Sequence, residues 1–407
     1  MSRIDELVVA LAPEGVEFKA LGEVGEFLRG NGLQKADLTD EGVPAIHYGQ
    51  VHTHYGVWTE KTKSFTDPAL AAKLRRAKPG DLVIATTSED DAAVAKATAW
   101  LGQGEVVVSG DACIYRHTLD PRYVAYFYQS ERFQDQKVRY ITGTKVRRVS
   151  GESLAKIRIP VPPLAVQREI VRVLDQFTQL EAELEAELEA RRRQYDYYAG
   201  ELLAVEQDVP RVKFGDVATI VRGASPRPIQ QFLTDAPDGA PWIKIGDVPA
   251  GGKYITQTGQ RVTLDGAVKS RRVMPGDFVL SNSMSFGRPY ISKIEGYIHD
   301  GWLAISGFDD SYVADYLYYL LRSAPVQEEF KRRAGAGTVQ NLNADIVRSM
   351  EVPIPPRDVQ ERVVALLDRF DALVNDLNVG LPAELAARRK QYEYYRDRLL
   401  TFEEATA

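Results

Sequence analysis

Cysteine is almost absent: Cys113 is the only one in 407 residues. A disulfide framework and a multi-cysteine zinc site are therefore excluded, and the chain suits a reducing cytoplasm. In the run DACIYRH the lone thiol reads as a small core residue on a strand rather than a nucleophile. Long apolar runs are missing too, and none reaches the roughly 18 residues of a membrane span. The opening MSRIDELVVALAPEGVEF sets Asp5 and Glu6 before a short apolar stretch, which does not fit a secretory signal. Histidines number five (His47, His52, His54, His117, His299). His52-Thr53-His54 alternates as on a strand, but no His/Cys/Asp set recurs at ligand spacing. Lys244 also stands where the first half has His47. No metal site is expected.

Catalytic signatures are absent as well. There is no G-x-x-x-x-G-K-[ST] phosphate loop, no G-x-G-x-x-G opening a helix after a strand, and no G-x-S-x-G elbow. The stretch SNSMSFGRPY (Ser281 to Tyr290) lacks the paired prolines of an N/D-P-P-Y/F methyltransferase tetrapeptide. Pro237-Asp238 is followed by turn residues, with no acid two before Lys244 to complete a nuclease core. Ala334 to Gly337, after Lys331-Arg332-Arg333, reads as a flexible basic loop. No catalytic residue and no cofactor are assigned.

The net charge is −6, but it is unevenly spread. Residues 1–163 carry 21 basic and 21 acidic groups, and residues 212–357 carry 17 and 15. Residues 164–211 carry 6 and 11, and residues 358–407 carry 7 and 10. The acidity belongs to segments with helical periodicity, so the near-neutral remainder is free to present a basic face.

What the chain does contain is itself, twice. GVPAIHYGQV (Gly42 to Val51) matches GAPWIKIGDV (Gly239 to Val248), and KPGDLVIATTS (Lys78 to Ser88) matches MPGDFVLSNSMS (Met274 to Ser285). IPVPPLAVQREIVRVLDQF (Ile159 to Phe177) matches VPIPPRDVQERVVALLDRF (Val352 to Phe370), and ARRRQYDYYAGELL (Ala190 to Leu203) matches ARRKQYEYYRDRLL (Ala387 to Leu400). The order is the same in both halves, which marks a duplication.

Each copy opens with mixed α/β patterning. DLVIATT and DFVLSNS follow Pro-Gly turns as strands do, while TDPALAAKLRRA (Thr66 to Ala77) and SYVADYLYYLLRS (Ser311 to Ser323) have helical spacing. Pro163 and Pro356 sit where a helix begins. From Ile170 a 4-3-4-3 seam runs through Leu174, Phe177, Glu181, Leu184, Leu188, Arg191, Tyr195, Tyr198 and Leu202. The second seam, through Val374, Leu377, Leu381 and Leu385, carries a four-residue insertion beside Pro382, which predicts a kink or short break. Each helix is about 60 Å long at 1.5 Å per residue, and the two seams are expected to pack on each other. EAELEAELEARRR (Glu181 to Arg193) reads as a solvated flank with Glu187–Arg191 and Glu189–Arg193 pairs, rather than an interaction tail. The expected division is 1–163, 164–207, 208–356 and 357–407: domain, central long helix, domain, C-terminal long helix.

Pro160, Pro162, Pro163 and Gln167, with Arg191 to Tyr198, resemble the central repeat of specificity subunits of type I restriction–modification systems. Pro353, Pro355, Pro356, Gln360 and Gly380 to Leu400 resemble the C-terminal repeat. The resemblance covers essentially the whole chain, but the first copy lacks the Gln-Asn-Leu-Asn of the second. It implies an α/β protein with a pseudo-twofold internal repeat: two mixed α/β target recognition domains separated by two long antiparallel coiled-coil helices. Each domain would read one half of a bipartite double-stranded DNA site. The helices would set the spacer and dock two methylation subunits, which bind S-adenosylmethionine; restriction subunits complete the assembly, in the cytoplasm and away from membranes. A non-enzymatic coiled-coil scaffold whose domains bind proteins is the alternative, and an enzyme fused to its own recognition module a third reading.

Base readout needs hydrogen-bonding side chains and positioning needs cations and amides. In the first domain these are Arg29, Asn31, Gln34, Lys35, Tyr48, Gln50, His52, Lys61, Thr87, Ser88, Lys145, Arg147 and Arg148. In the second they are Arg222, Ser225, Arg227, Lys244, Asn282, Ser283, Arg288, Arg332, Arg333, Gln340 and Asn341.

Overall fold

Proline has a fixed φ and no N–H to donate, so it stands comfortably at a helix start. Pro163 immediately precedes the helix Leu164–Leu203, 40 residues long, and Pro356 precedes Arg357–Asn375. The structure is a computed structural model and describes residues 3–203, 209–248, 252–282, 286–334, 342–375 and 380–405. It divides into two compact units, one made of Met1–Glu183 with Ala386–Ala407, the other of Leu184–Leu385.

In the first unit a five-stranded sheet runs Gly25–Arg29, Ala112–His117, Leu82–Ala85, Ala97–Trp100, Trp58–Thr59 in spatial order. A four-stranded sheet runs Ser64–Thr66, Val43–Ile46, Val106–Val108, Arg76–Ala77. The helix Pro121–Gln129 buries Tyr123 and Phe127 in the same core as Leu82, Ile84 and Tyr115. Val166, Ile170 and Leu174 close that core from the start of the long helix. Cys113 is buried there, and desolvation pushes its thiol up to about 11, as a core residue should behave.

The second unit repeats the plan. Its first sheet runs Thr219–Arg222, Trp302–Ser306, Phe278–Ser281, Pro289–Ser292, Tyr254–Ile255. Its second runs Leu233–Thr234, Gln260–Val262, Ala240–Ile243, Gly296–Ile298, Arg271–Val273. Val363 and Leu367 close its core, with Leu188, Tyr195, Leu381 and Leu385.

Helix pairing is visible inside each unit. In the first, Phe177 stacks on Tyr395 with ring centroids 5.5 Å apart, and Arg389 meets Glu181 at 2.6 Å. One helix advances as the other retreats, so the pair is antiparallel, and the acid that interrupts the seam is answered by an arginine. In the second, Tyr198 stacks on Phe370 at 6.1 Å. The surface pairs Glu187–Arg191 and Glu189–Arg193 form at 3.4 and 3.2 Å.

The C-terminal long helix is two helices, Arg357–Asn375 and Leu381–Leu399, with Pro382 in the first turn of the second. Gly380 takes φ +86°, a left-handed value that suits glycine at a helix end. Leu377 of the expected seam lies outside the described residues.

Three local expectations are corrected. Thr66–Ala77 is helical only over Pro68–Ala71, because its last two residues, Arg76–Ala77, are drawn into a sheet beside Val106–Val108. His52 and His54 do not alternate on a strand: His52 lies in the last turn of the helix Tyr48–Thr53, which His47 caps by accepting from Gly49 N–H, and His54 follows it. Ala334, the first residue of the expected loop, instead ends the helix Ala324–Ala334 directly after Lys331, Arg332 and Arg333, while Gly335 to Gly337 lie outside the described residues.

Candidate nucleic-acid interface

In the second unit Arg222 ends an edge strand and Gly223 follows, where a Cβ would lie 2.0 Å from the His299 carbonyl oxygen. Only glycine permits that approach. The exposed Arg222 donates from Nε to the Asp300 backbone carbonyl at 3.1 Å, and the buried Asn282 amide donates to the same oxygen at 2.9 Å. The Asp300 carboxylate accepts from Ser225 Oγ at 2.8 Å and from Arg227 at 3.1 Å. Those two partners, Ser225 before Arg227, hold its carboxyl below the usual range.

Ser225, Arg227 and Asp300 line a cleft of about 480 Å³ together with Lys244, Trp242 and His299. Burial lowers the His299 pKa, helped by Lys244 and opposed by Asp300, so the imidazole is neutral near pH 7. Its Nδ1 accepts from Gly301 N–H at 2.9 Å, which leaves the proton on Nε2 as a donor. The cleft therefore mixes donors, an acceptor and an apolar wall, as readout of a base edge requires.

The first unit has the same frame with other side chains. Arg29 ends its edge strand, and a Cβ on Gly30 would lie 2.1 Å from the Ser109 carbonyl oxygen. Arg29 Nε donates to the Gly110 carbonyl at 3.1 Å. Arg29, Thr87 and Arg148 share a cleft of about 450 Å³ with Asp111. Thr87-Ser88 pairs with Arg147-Arg148 as a short antiparallel ribbon, so four expected residues come together. Thr87 Oγ1 is buried without a hydrogen-bond partner among the described residues.

Other expected residues have structural work. Asn31 clasps the backbone of the 73–75 segment, donating to Lys73 O at 3.1 Å and accepting from Arg75 N–H at 2.7 Å. Gln50 donates to Ser64 Oγ at 2.7 Å, and Tyr48 N–H donates to Ser109 Oγ at 2.8 Å. His52 Nε2 lies 2.9 Å from the Thr87 carbonyl, which fixes its proton there. Arg147 pairs with Asp91 at 2.8 Å. Arg332 and Arg333 both pair with Glu329, and Arg333 also donates to Ser349. Gln34, Lys35, Lys61, Lys145 and Arg288 are exposed. Ser283, Gln340 and Asn341 lie outside the described residues.

Asp300, His299 and Trp242 were not among the expected contacts. The signal that finds them is the duplication carried one turn further: Ser109-Gly110 and His299-Asp300 occupy equivalent turns before Ala112–His117 and Trp302–Ser306.

Two copies of one sheet plan, each ending in a polar cleft, make a duplicated recognition protein. The chain belongs to the type I restriction–modification DNA specificity family: the model described as "Type I restriction modification DNA specificity domain" matches residues 13–190 and again 206–387. A putative type I restriction enzyme specificity subunit of Haemophilus influenzae is 30% identical over 313 residues, spanning 74% of this chain and 76% of its own length. The EcoR124I/EcoR124II specificity subunit of Escherichia coli is 31% identical over 268 residues, 62% of this chain and 65% of that one. In fold, the chain is similar to one solved in work on complex assembly and conformational transition of the type I R-M system, with TM-score 0.71 and 17% identity. That match covers 95% of this chain and 97% of the other. An HsdS subunit from Thermoanaerobacter tengcongensis matches with TM-score 0.50 at 19% identity, over 96% and 97%. Among the described residues no helix is long and apolar enough to cross a membrane, and no His/Cys/Asp/Glu group is placed to hold a metal.

Proposed function

We propose that each unit reads one half of a bipartite double-stranded DNA sequence, the first through the Arg29–Thr87–Arg148 cleft and the second through the Ser225–Arg227–Lys244 cleft. The observation that carries this reading is a shared frame with unlike side chains around it: Arg29 on Gly110 answers Arg222 on Asp300, while His47 and Ser109, which lie outside the Arg29–Thr87–Arg148 cleft, stand where Lys244 and His299 line the second cleft. Equivalent frames would seat equivalent stretches of DNA, and different linings would select different bases. The exposed cations Lys35, Lys61, Lys145 and Arg288 would serve as phosphate contacts.

On this reading the unbroken Leu164–Leu203 helix sets the unspecified gap, and the helices dock two methylation subunits, with restriction subunits joining them. The chain itself performs no catalysis, and S-adenosylmethionine is bound by its partners. Family membership favours this over a protein-binding scaffold.

Methylome sequencing of cells with and without the chain tests the reading. A bipartite methylated motif should be present with the chain and lost without it. Methyl transfer by the purified chain alone would overturn the non-catalytic assignment, and absence of DNA binding even with the methylation subunits would favour the scaffold.

A further inference from the structure

The sequence KLRRAKPGD (Lys73 to Asp81) in the first copy is KSRRVMPGD (Lys269 to Asp277) in the second, so an Arg-Arg pair recurs in register: Arg75-Arg76 and Arg271-Arg272. The two members of each pair are treated differently, and in the same way in both units. Arg76 meets Glu105 at 3.8 Å, and Arg272 meets Glu295 at 2.9 Å. Arg75 donates from Nη1 to the Arg29 carbonyl at 2.6 Å. Arg271 donates from Nε to the Arg222 carbonyl at 3.3 Å.

Each first arginine therefore holds the backbone of the arginine already seen to end the edge strand. That second arginine is in turn held through its own Nε on a turn carbonyl, Gly110 or Asp300. All four side chains are exposed, and among the described residues none is in an ion pair. The Asp300 carboxylate is engaged by Ser225 and Arg227, not by Arg222.

Each pair sets two cations on one stretch of backbone, each bonded to a neutral carbonyl rather than to a carboxylate. An arginine bonded through one or two of its five N–H groups keeps the others for a further acceptor. Guanidinium forks suit phosphate oxygens, and a second phosphate-facing cation strengthens the first. The adjacent Arg76 and Arg272 carry neutralising glutamates at the same places, so the missing acid is a property of one position, twice, and not of a poorly acidic surface.

We propose that Arg29 with Arg75, and Arg222 with Arg271, form a duplicated phosphate clamp that seats the DNA backbone at the equivalent step of each half-site. The clamp positions the duplex and carries no base choice; the other residues lining each cleft do that. This rests on the DNA-reading function proposed above and adds Arg75 and Arg271 to it.

The test uses the full chain assembled with its methylation subunits. DNA binding is measured across salt for the wild type, for R75A/R271A, and for the glutamate-paired control R76A/R272A. Each phosphate contact contributes about one unit to the slope of log affinity against log salt. The R75A/R271A slope should flatten by about two, the R76A/R272A slope by much less, and the methylated motif should stay the same in both. R75K/R271K, which keeps the charge, should retain most of the slope and thereby separates charge loss from misfolding. A wild-type slope in R75A/R271A, or equal flattening in the control, overturns the clamp. A changed motif overturns it too, because the arginines would then be reading bases. If the wild-type assembly neither binds nor methylates a bipartite site, the failure lies instead with the DNA-reading function.

Discussion

Gln360 Nε2 donates to the Pro355 carbonyl at 2.9 Å, turning the glutamine of the second P-x-P-P…V-Q motif back onto its own prolines. Gln167 does the same to Pro162 at 2.8 Å. Each also accepts a backbone N–H from the loop ahead of a core helix, Val313 at 2.8 Å and Asp120 at 2.9 Å. Both glutamines are buried. The motif is thus a joint between domain and helix, and its amide satisfies backbone groups that would otherwise be buried unpaired.

Replacing either glutamine by alanine is expected to lower stability by about 2 kcal/mol, since the abandoned backbone groups bear the loss. Denaturant unfolding of Q167A and Q360A measures it; values near zero would mean that water takes over the joint.

Asp300→Asn is expected to change methylation of one half of the motif and leave the other half intact, because its carboxylate gathers Ser225 and Arg227 in one cleft only. The same substitution carries a pH signature. A carboxyl held below its usual range adds stability at neutral pH that is lost as pH falls through its folded value. Acid unfolding of D300N should lack that part of the wild-type decline. Motif changes in both halves would contradict the assignment.

Lys137 is fully buried, and its ammonium donates to the Ala92 and Val94 carbonyls at 3.0 and 2.9 Å and to Gln134. Burial lowers its pKa from 10.5 to about 8, against the pull of Asp90 and Asp91. Between those values the unfolded chain holds the proton that the folded chain has shed, so raising the pH across this window stabilises the fold. Wild type should gain stability over Lys137→Met between pH 8 and 10. Parallel curves for the two proteins would defeat the argument.

Gly30→Ala and Gly223→Ala each push a Cβ to within 2.1 and 2.0 Å of a carbonyl oxygen. About 1–3 kcal/mol of destabilisation is expected from the forced separation, and recognition of one half-site should weaken in each variant. Methylome readout distinguishes the halves; loss of both in a single variant would point to general unfolding.

Much of this architecture is legible in the residues. Periodicity and the two P-x-P-P elements locate the helices to within a residue at Leu164 and Arg357, because proline leaves little choice of where a helix starts. The seam interruption at Glu181 and the break near Pro382 follow from the same pattern. The clefts are less legible. Asn31 and Arg147 carry the right chemistry for DNA, yet their polar groups are taken up by Lys73, Arg75 and Asp91. Asp300 draws no attention as a lone acid in the run IHDGW, since its importance arises from Ser225, Arg227 and Asn282, far away in sequence. Short helices also escape prediction: Pro68–Ala71 stops early because sheet pairing claims the residues beyond it.

The boundaries of the compact units have a temporal consequence. The first unit includes Ala386–Ala407, and the second includes Leu184–Leu203 from the far end of the preceding helix. The stretch that repeats is thus not the stretch that folds. A ribosome that has released the first recognition domain has not yet made the helix that covers Phe177. That seam must wait until the second copy has been made, so premature termination within the second copy would leave the first incomplete as well.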